Sequence, residues 1–476
     1  MLLICQLPLS LNETTPVALG ILKALSPIQS VTVDYAVQSL SNQLKQAYRL
    51  KLKSVNLRSI NLDKIKLSSS KWQPSLWKSI QLESLAFWLT LEYPLSMINR
   101  EDWNDHADRQ YLCAVRNFAD NIMTYDPKIV AFTTHSGNFG VTLKVAKYLH
   151  EEGIKTIIGG PSVLWCGKKL AQKYRFLDCV VSGEAEPIFK SIVLWLIKGW
   201  KVPRYIKAPM VRYLDLSPCP DYSDLNLEAY KTIGIETQRG CPNRCTFCTN
   251  RYTPAYAKYR EKSLKKIKEE VETLMNYNKP FFLCDNITNS TRKRLLDLCK
   301  LFYKLKISWT GEFKADITWQ EAYWMAKSGC FRAVLGVESL SNKVLRDMRK
   351  PTTVEKIAYT IRNLKKAGIN VYCMFMFGFP TERLRDVATT IIRALIYSRW
   401  IDGLAFGHFN LNYNSITHLK AEKYGIKILD EEWGLWHWTM PYHQSNFLKT
   451  TFRVLLTELA ESYFHAIGKH PYWERI

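Results

Sequence analysis

At 476 residues the chain has room for about two or three domains with cores of their own. An apolar content of 47% excludes a disordered chain, and 12 cysteines are too sparse for a disulfide-built scaffold. The 66 Lys and Arg against 43 Asp and Glu leave a net charge of +23, which favours an acidic partner: nucleic acid, an anionic membrane or an acidic peptide.

The opening "MLLICQLPL" lacks a basic n-region and a small-residue cleavage site, so it reads as a first buried strand rather than a signal peptide. A helix ("TPVALGILKAL") and a strand ("VTVDYAV") follow. Residues 36–125 are irregular, Trp-rich and basic, then helical. From 126 the alternation sharpens: strand "DPKIVAFTT", helix "FGVTLKVAKYLHEEG", strand "KTIIGGPS", helix "GKKLAQKY", strand "LDCVVSGEAE" and a helix from Pro187. Strand–helix alternation with glycine turns at strand ends predicts a doubly wound parallel sheet over residues 1–200, its ligand crevice at those turns.

A Pro-rich linker over 201–229 separates this domain from a second α/β unit, 230–415. There, strand "TIGIETQRG" runs into a cysteine loop, and Ser263 is the expected N-cap of the next helix. Five further strands alternate with helices, ending at "GLAFGHFNL", which predicts a partial (β/α)6 barrel. Residues 416–476 form a helical, aromatic end with Trp433, Trp436 and Trp438.

The loop reads "GCPNRCTFC", a Cys-x3-Cys-x2-Cys array of Cys241, Cys245 and Cys248. A structural zinc site wants four ligands, usually in two pairs, and a ferredoxin-type cluster wants a fourth local cysteine. Neither is present before Cys284. Three thiolates on a [4Fe–4S] cluster leave one iron open for a ligand. The array, with Phe247 before its last cysteine, resembles the radical SAM superfamily. The resemblance implies that the open iron holds S-adenosylmethionine and that its reduction releases a 5′-deoxyadenosyl radical.

Later strands carry the resemblance on. "FFLCDNITNS" is similar to the family's second strand, which places Asp285 and Asn286 at the cofactor. "WTGEFKADI" sets Glu312 or Lys314 against the ribose or carboxylate of S-adenosylmethionine. "SGCFRAVLGVESLSNKVLRDMRK" matches "GC…GvES…vL..m.K", with Gly336 and Glu338 at the cofactor. "VYCMFMFGFPTE" matches "fi.GfPgE", adding Gly378, with Thr381 in place of a common glycine.

"GGPS" (159–162) and "GEAE" (183–186) resemble the "GGPH" and "GEGE" of the radical SAM subgroup that carries an N-terminal cobalamin-binding domain. Cobalamin is therefore a possible third cofactor. The cobalt-ligating Asp-x-His-x2-Gly loop is absent from the sequence; His135, at a strand end, is the candidate ligand, against a plain polar surface role.

Which reaction follows depends on what faces the radical. Cys373 lies in "NVYCMFMFGFP", where period-2 alternation groups it with Phe375 and Phe377 and opposes Tyr372, Met374 and Met376. A thiol facing the barrel interior would return hydrogen, whereas a cysteine on an apolar strand is ordinarily core packing. The layout resembles the radical SAM peptide epimerases of proteusin biosynthesis. That resemblance implies L-to-D conversion in a ribosomal precursor peptide, Cys373 as hydrogen donor, an acidic leader docked on 45–72 or the 430s tryptophans, and an external donor such as ferredoxin or flavodoxin. The alternatives are a cobalamin-dependent C-methyltransferase acting on a peptide or small molecule, and a non-catalytic Fe–S protein that binds nucleic acid. Scattered cysteines in apolar runs point to a reducing cytoplasm, and no uncharged run reaches the ~20 residues of a membrane span.

Overall fold

A computed structural model describes residues 1–6, 17–34, 106–135, 138–250, 253, 257–429, 439–440, 442–444 and 447–470. The basic segment 45–72 and the tryptophans at 433, 436 and 438 lie outside the described residues. Among the described residues two six-stranded sheets, each wholly parallel, organise the fold.

The first sheet has the order β2-β1-β3-β4-β5-β6, with β1 Leu2–Gln6, β2 Ser30–Asp34, β3 Ile129–Thr133, β4 Lys155–Gly159, β5 Cys179–Ser182 and β6 Tyr205–Lys207. Helices cover both faces, so strand residues such as Leu2, Leu3, Ile4, Val130 and Val180 are all 0% exposed. Burying each such side chain stabilises by about 1.5–3 kcal/mol. The chain passes to opposite sides of β1 on its way to β2 and to β3, so the switch point of this sheet lies between β1 and β3. β6 pairs with β5, so the sheet continues into the stretch expected as linker.

The second sheet has the sequential order β7-β10-β11-β12-β13-β14. Its strands are β7 Ile233–Ile235, β10 Phe281–Leu283, β11 Trp309–Lys314, β12 Cys330–Glu338, β13 Asn370–Phe377 and β14 Gly403–His408. A small ribbon, β8 Gln238–Arg239 with β9 Arg260–Glu261, flanks the cysteine loop. Helices separate consecutive strands of the large sheet. The helix Val354–Lys366 buries Val354, Ile357, Ile361 and Leu364, the spacing of one helical face. Ser263 caps the helix Leu264–Leu274, accepting the Lys266 N–H at 3.1 Å.

β7 and β14 are the two edges, so the barrel is partial. The C-terminal helix Phe447–Ala466 packs beside β14 and the helix Leu384–Tyr397. Its Glu461 carboxylate accepts the Phe406 N–H at 3.2 Å, which occupies part of the open edge. Among the described residues no helix is long and apolar enough to cross a membrane.

Candidate active site

The cysteine loop is fixed at its root before the first cysteine is reached. Asp285, at the end of β10, is 4% exposed. Its carboxylate accepts the Thr237 N–H at 2.7 Å, the Thr237 hydroxyl at 2.6 Å and the Gln238 N–H at 3.0 Å. Burial pushes this carboxyl up to about 7, against the pull of those hydrogen bonds. Asn286 Oδ1 accepts the Gly240 N–H at 2.8 Å. The resemblance places both side chains at the cofactor; the structure turns both onto the loop backbone, because β10 ends beside β7 and the nearest unsatisfied donors are the N–H groups leaving it.

Cys241, Cys245 and Cys248 are half-buried and close enough to interact with one another. Burial raises each thiol, Cys245 to about 12, and the Lys350 ammonium pulls each back down. The loop backbone is pinned further on: the Thr246 N–H donates to Met348 O at 2.8 Å, and Asn412 Nδ2 donates to Phe247 O at 3.1 Å. Among the described residues no three His, Cys, Asp or Glu side chains are arranged to hold a metal ion. An iron–sulfur cluster places its thiolate ligands on separate irons, so they stand apart rather than converge. Three adjacent cysteines with no fourth protein donor among the described residues fit that group.

Strand register decides what faces the barrel interior. Cys373, Phe375 and Phe377 belong to the core cluster that includes Ile357, Ile361, Leu364 and Val387 of the surrounding helices. Cys373 is 0% exposed, and burial, with Asp402 adding, drives its thiol far up. The opposite face carries Tyr372, Met374 and Met376; Met374 sits in register with Gly336 and Ala405. Cys373 therefore points into the helical layer, not at the site. The expectation of a hydrogen-donor cysteine is corrected here: alternation groups Cys373 with Phe375 and Phe377, and all three pack in the cluster that holds the helix residues.

The interior face brings together the other expected residues and one that was not expected. Glu312, Lys314 and Gly336 lie on it, with Glu338 at its end. Lys350 Nζ meets Glu338 Oε1 at 2.7 Å, with 10% and 16% of the two side chains exposed. Burial works against the Lys350 charge, yet Glu338 and the thiols of Cys245 and Cys248 hold its ammonium above the usual lysine range. Lys350 also stands 5.9 Å from the Phe247 ring centroid. Glu338 has φ 64°, a left-handed conformation uncommon for a side-chain-bearing residue, beside a shift in the β12–β13 register. A Cβ at Gly336 would lie 3.0 Å from Lys350 Nζ and 3.1 Å from Glu338 Oε1, so glycine there leaves room for the pair.

Glu312 is accessible from the barrel interior but ringed by protein; burial raises its carboxyl, with Glu338 adding and Lys350 opposing. Lys314 pairs with Asp316 at 3.1 Å. Gly378, at φ 91°, passes directly under the Arg453 guanidinium, which a Cβ would meet at 2.9 Å. Lys350 closes the motif "vL..m.K", so its position was marked in the sequence although its role was not.

A cavity of about 290 Å³ opens at the C-terminal ends of β3, β4 and β5. Thr133, Gly159, Gly160 and Gly183 line it from the sheet, and Val17 and Ile21 from the first helix. Glu236, Arg239 and Cys284 line it from the barrel. It thus lies on the seam between the two sheets, mostly apolar, with Glu184, Glu186, Glu236 and Arg239 as its charged lining. His135 is not among its lining residues; its N–H donates to Asn138 Oδ1 at 2.9 Å, and burial lowers its imidazole.

Residues 235–394 match the sequence model of the Radical SAM superfamily. The chain carries a radical SAM domain. An uncharacterized methyltransferase of Pyrococcus horikoshii is 29% identical over 335 residues, covering 64% of this chain and 72% of the relative. The bacteriochlorophyllide d C-8(2)-methyltransferase of Chlorobaculum tepidum is 23% identical, covering 55% and 61%. Among solved structures, the cobalamin-dependent S-adenosylmethionine radical enzyme OxsB, with aqua-cobalamin and S-adenosylmethionine bound, superposes with a TM-score of 0.65 at 14% identity. That superposition covers 98% of this chain and 66% of OxsB. The fold is therefore that of a Rossmann-like domain followed by a radical SAM domain. A radical SAM domain implies a [4Fe–4S] cluster and S-adenosylmethionine.

Proposed function

We propose that the protein is a cobalamin-dependent radical S-adenosylmethionine C-methyltransferase. The observation that carries this reading is the cavity on the seam. Strand ends of the doubly wound sheet form one wall, and the root of the cysteine loop forms the other. The methyltransferase names of the two relatives support it. The peptide-epimerase reading loses its donor, because Cys373 faces the helices.

When bound, cobalamin would supply a methyl carrier and the cluster with S-adenosylmethionine a radical initiator. The chain's own residues divide the remaining work. Cys241, Cys245 and Cys248 hold the cluster. Lys350, charged and almost buried beside those thiols, presents N–H donors to a carboxylate, and Glu338 keeps it protonated and aimed. Glu312 offers a carboxyl on the same interior face for hydroxyl or amino groups. The glycines at 159, 160 and 183 allow a ligand close approach to the backbone at the strand ends. Among the described residues that line the cavity there is no histidine.

The test is retention of cobalt. Protein made anaerobically in cells supplied with hydroxocobalamin is expected to keep cobalt near one per chain, with a corrinoid visible spectrum. Incubation with methyl-trideuterated S-adenosylmethionine and cell extract should yield a product heavier by one trideuterated methyl group. Cobalt-free protein, or an unlabelled product of changed stereochemistry, would overturn the reading.

A further inference from the structure

The last residues before Cys241 carry a charge cluster that the cofactor reading does not use. Arg239 is the second residue of β8, two positions ahead of the first cysteine. Its side chain is 8% exposed and meets three carboxylates. Glu184 Oε1 lies at 3.1 Å and Glu186 Oε1 at 2.9 Å, both from the "GEAE" turn after β5. Glu236 accepts two further hydrogen bonds, at 2.8 and 2.7 Å. Glu184 also accepts the Arg260 guanidinium at 2.9 and 2.8 Å, and the backbone N–H of Val211. The two guanidinium groups and the Val211 N–H together hold the Glu184 carboxyl below the usual range despite its burial.

Three parts of the chain thus meet at one point: the doubly wound domain through Glu184 and Glu186, the connecting segment through Val211, and the barrel through Arg239 and Arg260. The same point is the root of the cysteine loop. Asp285 and Asn286 fix residues 237, 238 and 240 through their backbone N–H groups. The side chain of Arg239 is the remaining handle, and the other domain holds it. A guanidinium suits the task, because its fixed fork can serve several carboxylates in one plane.

We infer that Glu184 and Glu186 are positioning residues for the cluster: the seating of the doubly wound domain sets the geometry of the cysteine loop through Arg239. Both glutamates and Arg239 also line the seam cavity, so whatever fills the cavity touches the same charges. The inference rests on the radical SAM reading of the loop and not on methyl transfer.

The test uses the full chain with its cluster reconstituted, as wild type and as Glu184→Gln, Glu186→Gln and Arg239→Lys. Three quantities are read: iron per chain, the thermal midpoint, and the electron paramagnetic resonance spectrum of the reduced cluster during titration with S-adenosylmethionine. The expected result is lower iron loading, or a titration midpoint raised at least about fivefold, the lower end of ordinary coupling between sites. Arg239→Lys should not rescue the effect, since an ammonium cannot span the three carboxylates. A merely structural clasp would lower the thermal midpoint and leave iron, spectrum and titration as in wild type; that result overturns the inference. If Glu184→Gln fails to fold, Glu186→Gln, which neutralises only the Glu186–Arg239 ion pair, decides on the same readouts.

Discussion

Asn286 Oδ1 lies 2.8 Å from the backbone nitrogen of Gly240, one residue ahead of the first cysteine. Gly240 has φ 86°, so the loop turns here in a left-handed conformation. Asn286→Ala leaves that donor unpaired at a cost of about 1–3 kcal/mol. The expected outcome is a loop that loads less iron while the sheet stays intact. Iron per chain, read against far-ultraviolet circular dichroism, checks it; full iron loading would show that Asn286 does not order the loop.

Much of this was legible in the chain because parallel sheets are buried on both faces. Runs such as "LLIC", "IVAF" and "CVVS" stand out against amphipathic helices, and each became a strand. The cysteine array announced its own chemistry through donor count. Strand facing was less legible: "NVYCMFMF" is apolar on both faces, so periodicity divides the residues into two sets without saying which set looks inward. The roles of Lys350 and Arg239 were hidden for another reason. Their partners, Glu338 and Glu184, lie 12 and 55 residues away in sequence: Lys350 reaches Glu338 from the turn after the helix Asn342–Asp347, and Arg239 reaches Glu184 across the seam between the two sheets.

Lys350→Met separates the positioning of S-adenosylmethionine from the holding of the cluster. The substitution keeps a long apolar stem in place but removes the charge, and it strands the Glu338 carboxylate. Loss of a charged hydrogen bond is worth about 1.5–3 kcal/mol, so binding of S-adenosylmethionine should weaken by about 10- to 100-fold. Iron content should stay as in wild type. Equal affinity in the two proteins would remove Lys350 from the binding site.

Cys373→Ala should leave cleavage of S-adenosylmethionine and product formation unchanged. The thiol fills core space among Phe375, Phe377 and the helix residues, so the variant should lose about 1 kcal/mol of stability. Cys373→Ser should lose more, about 1–3 kcal/mol, because a hydroxyl is buried there without a designed partner. Denaturant unfolding gives both numbers. A Cys373→Ala protein of native stability that cleaves S-adenosylmethionine yet forms no product would return the cysteine to the mechanism.

The end of β13 supplies a pH dependence that is independent of the cluster. Glu382 Oε2 accepts the Gly378 N–H at 2.6 Å, while Oε1 is buried and has no hydrogen-bond partner. Burial raises this carboxyl to about 7, the Gly378 hydrogen bond and Arg453 opposing. An unfolded glutamate titrates near ~4.3. Below that value both states hold the proton, and the contribution of the neutral carboxyl to stability is complete. As pH rises from about 4 to about 7 the unfolded chain releases its proton first, so stability is lost through that window; above it both states are ionised and the slope ends. Glu382→Gln keeps an acceptor for Gly378 and has no proton to lose. The thermal midpoint of the wild type, taken as a difference from that of the variant, should therefore fall by at least about 2 °C between pH 5 and pH 7.5. Differential scanning calorimetry of the two proteins across that range reads the difference directly, and a difference that does not change with pH would mean that the carboxyl is ionised in the fold throughout.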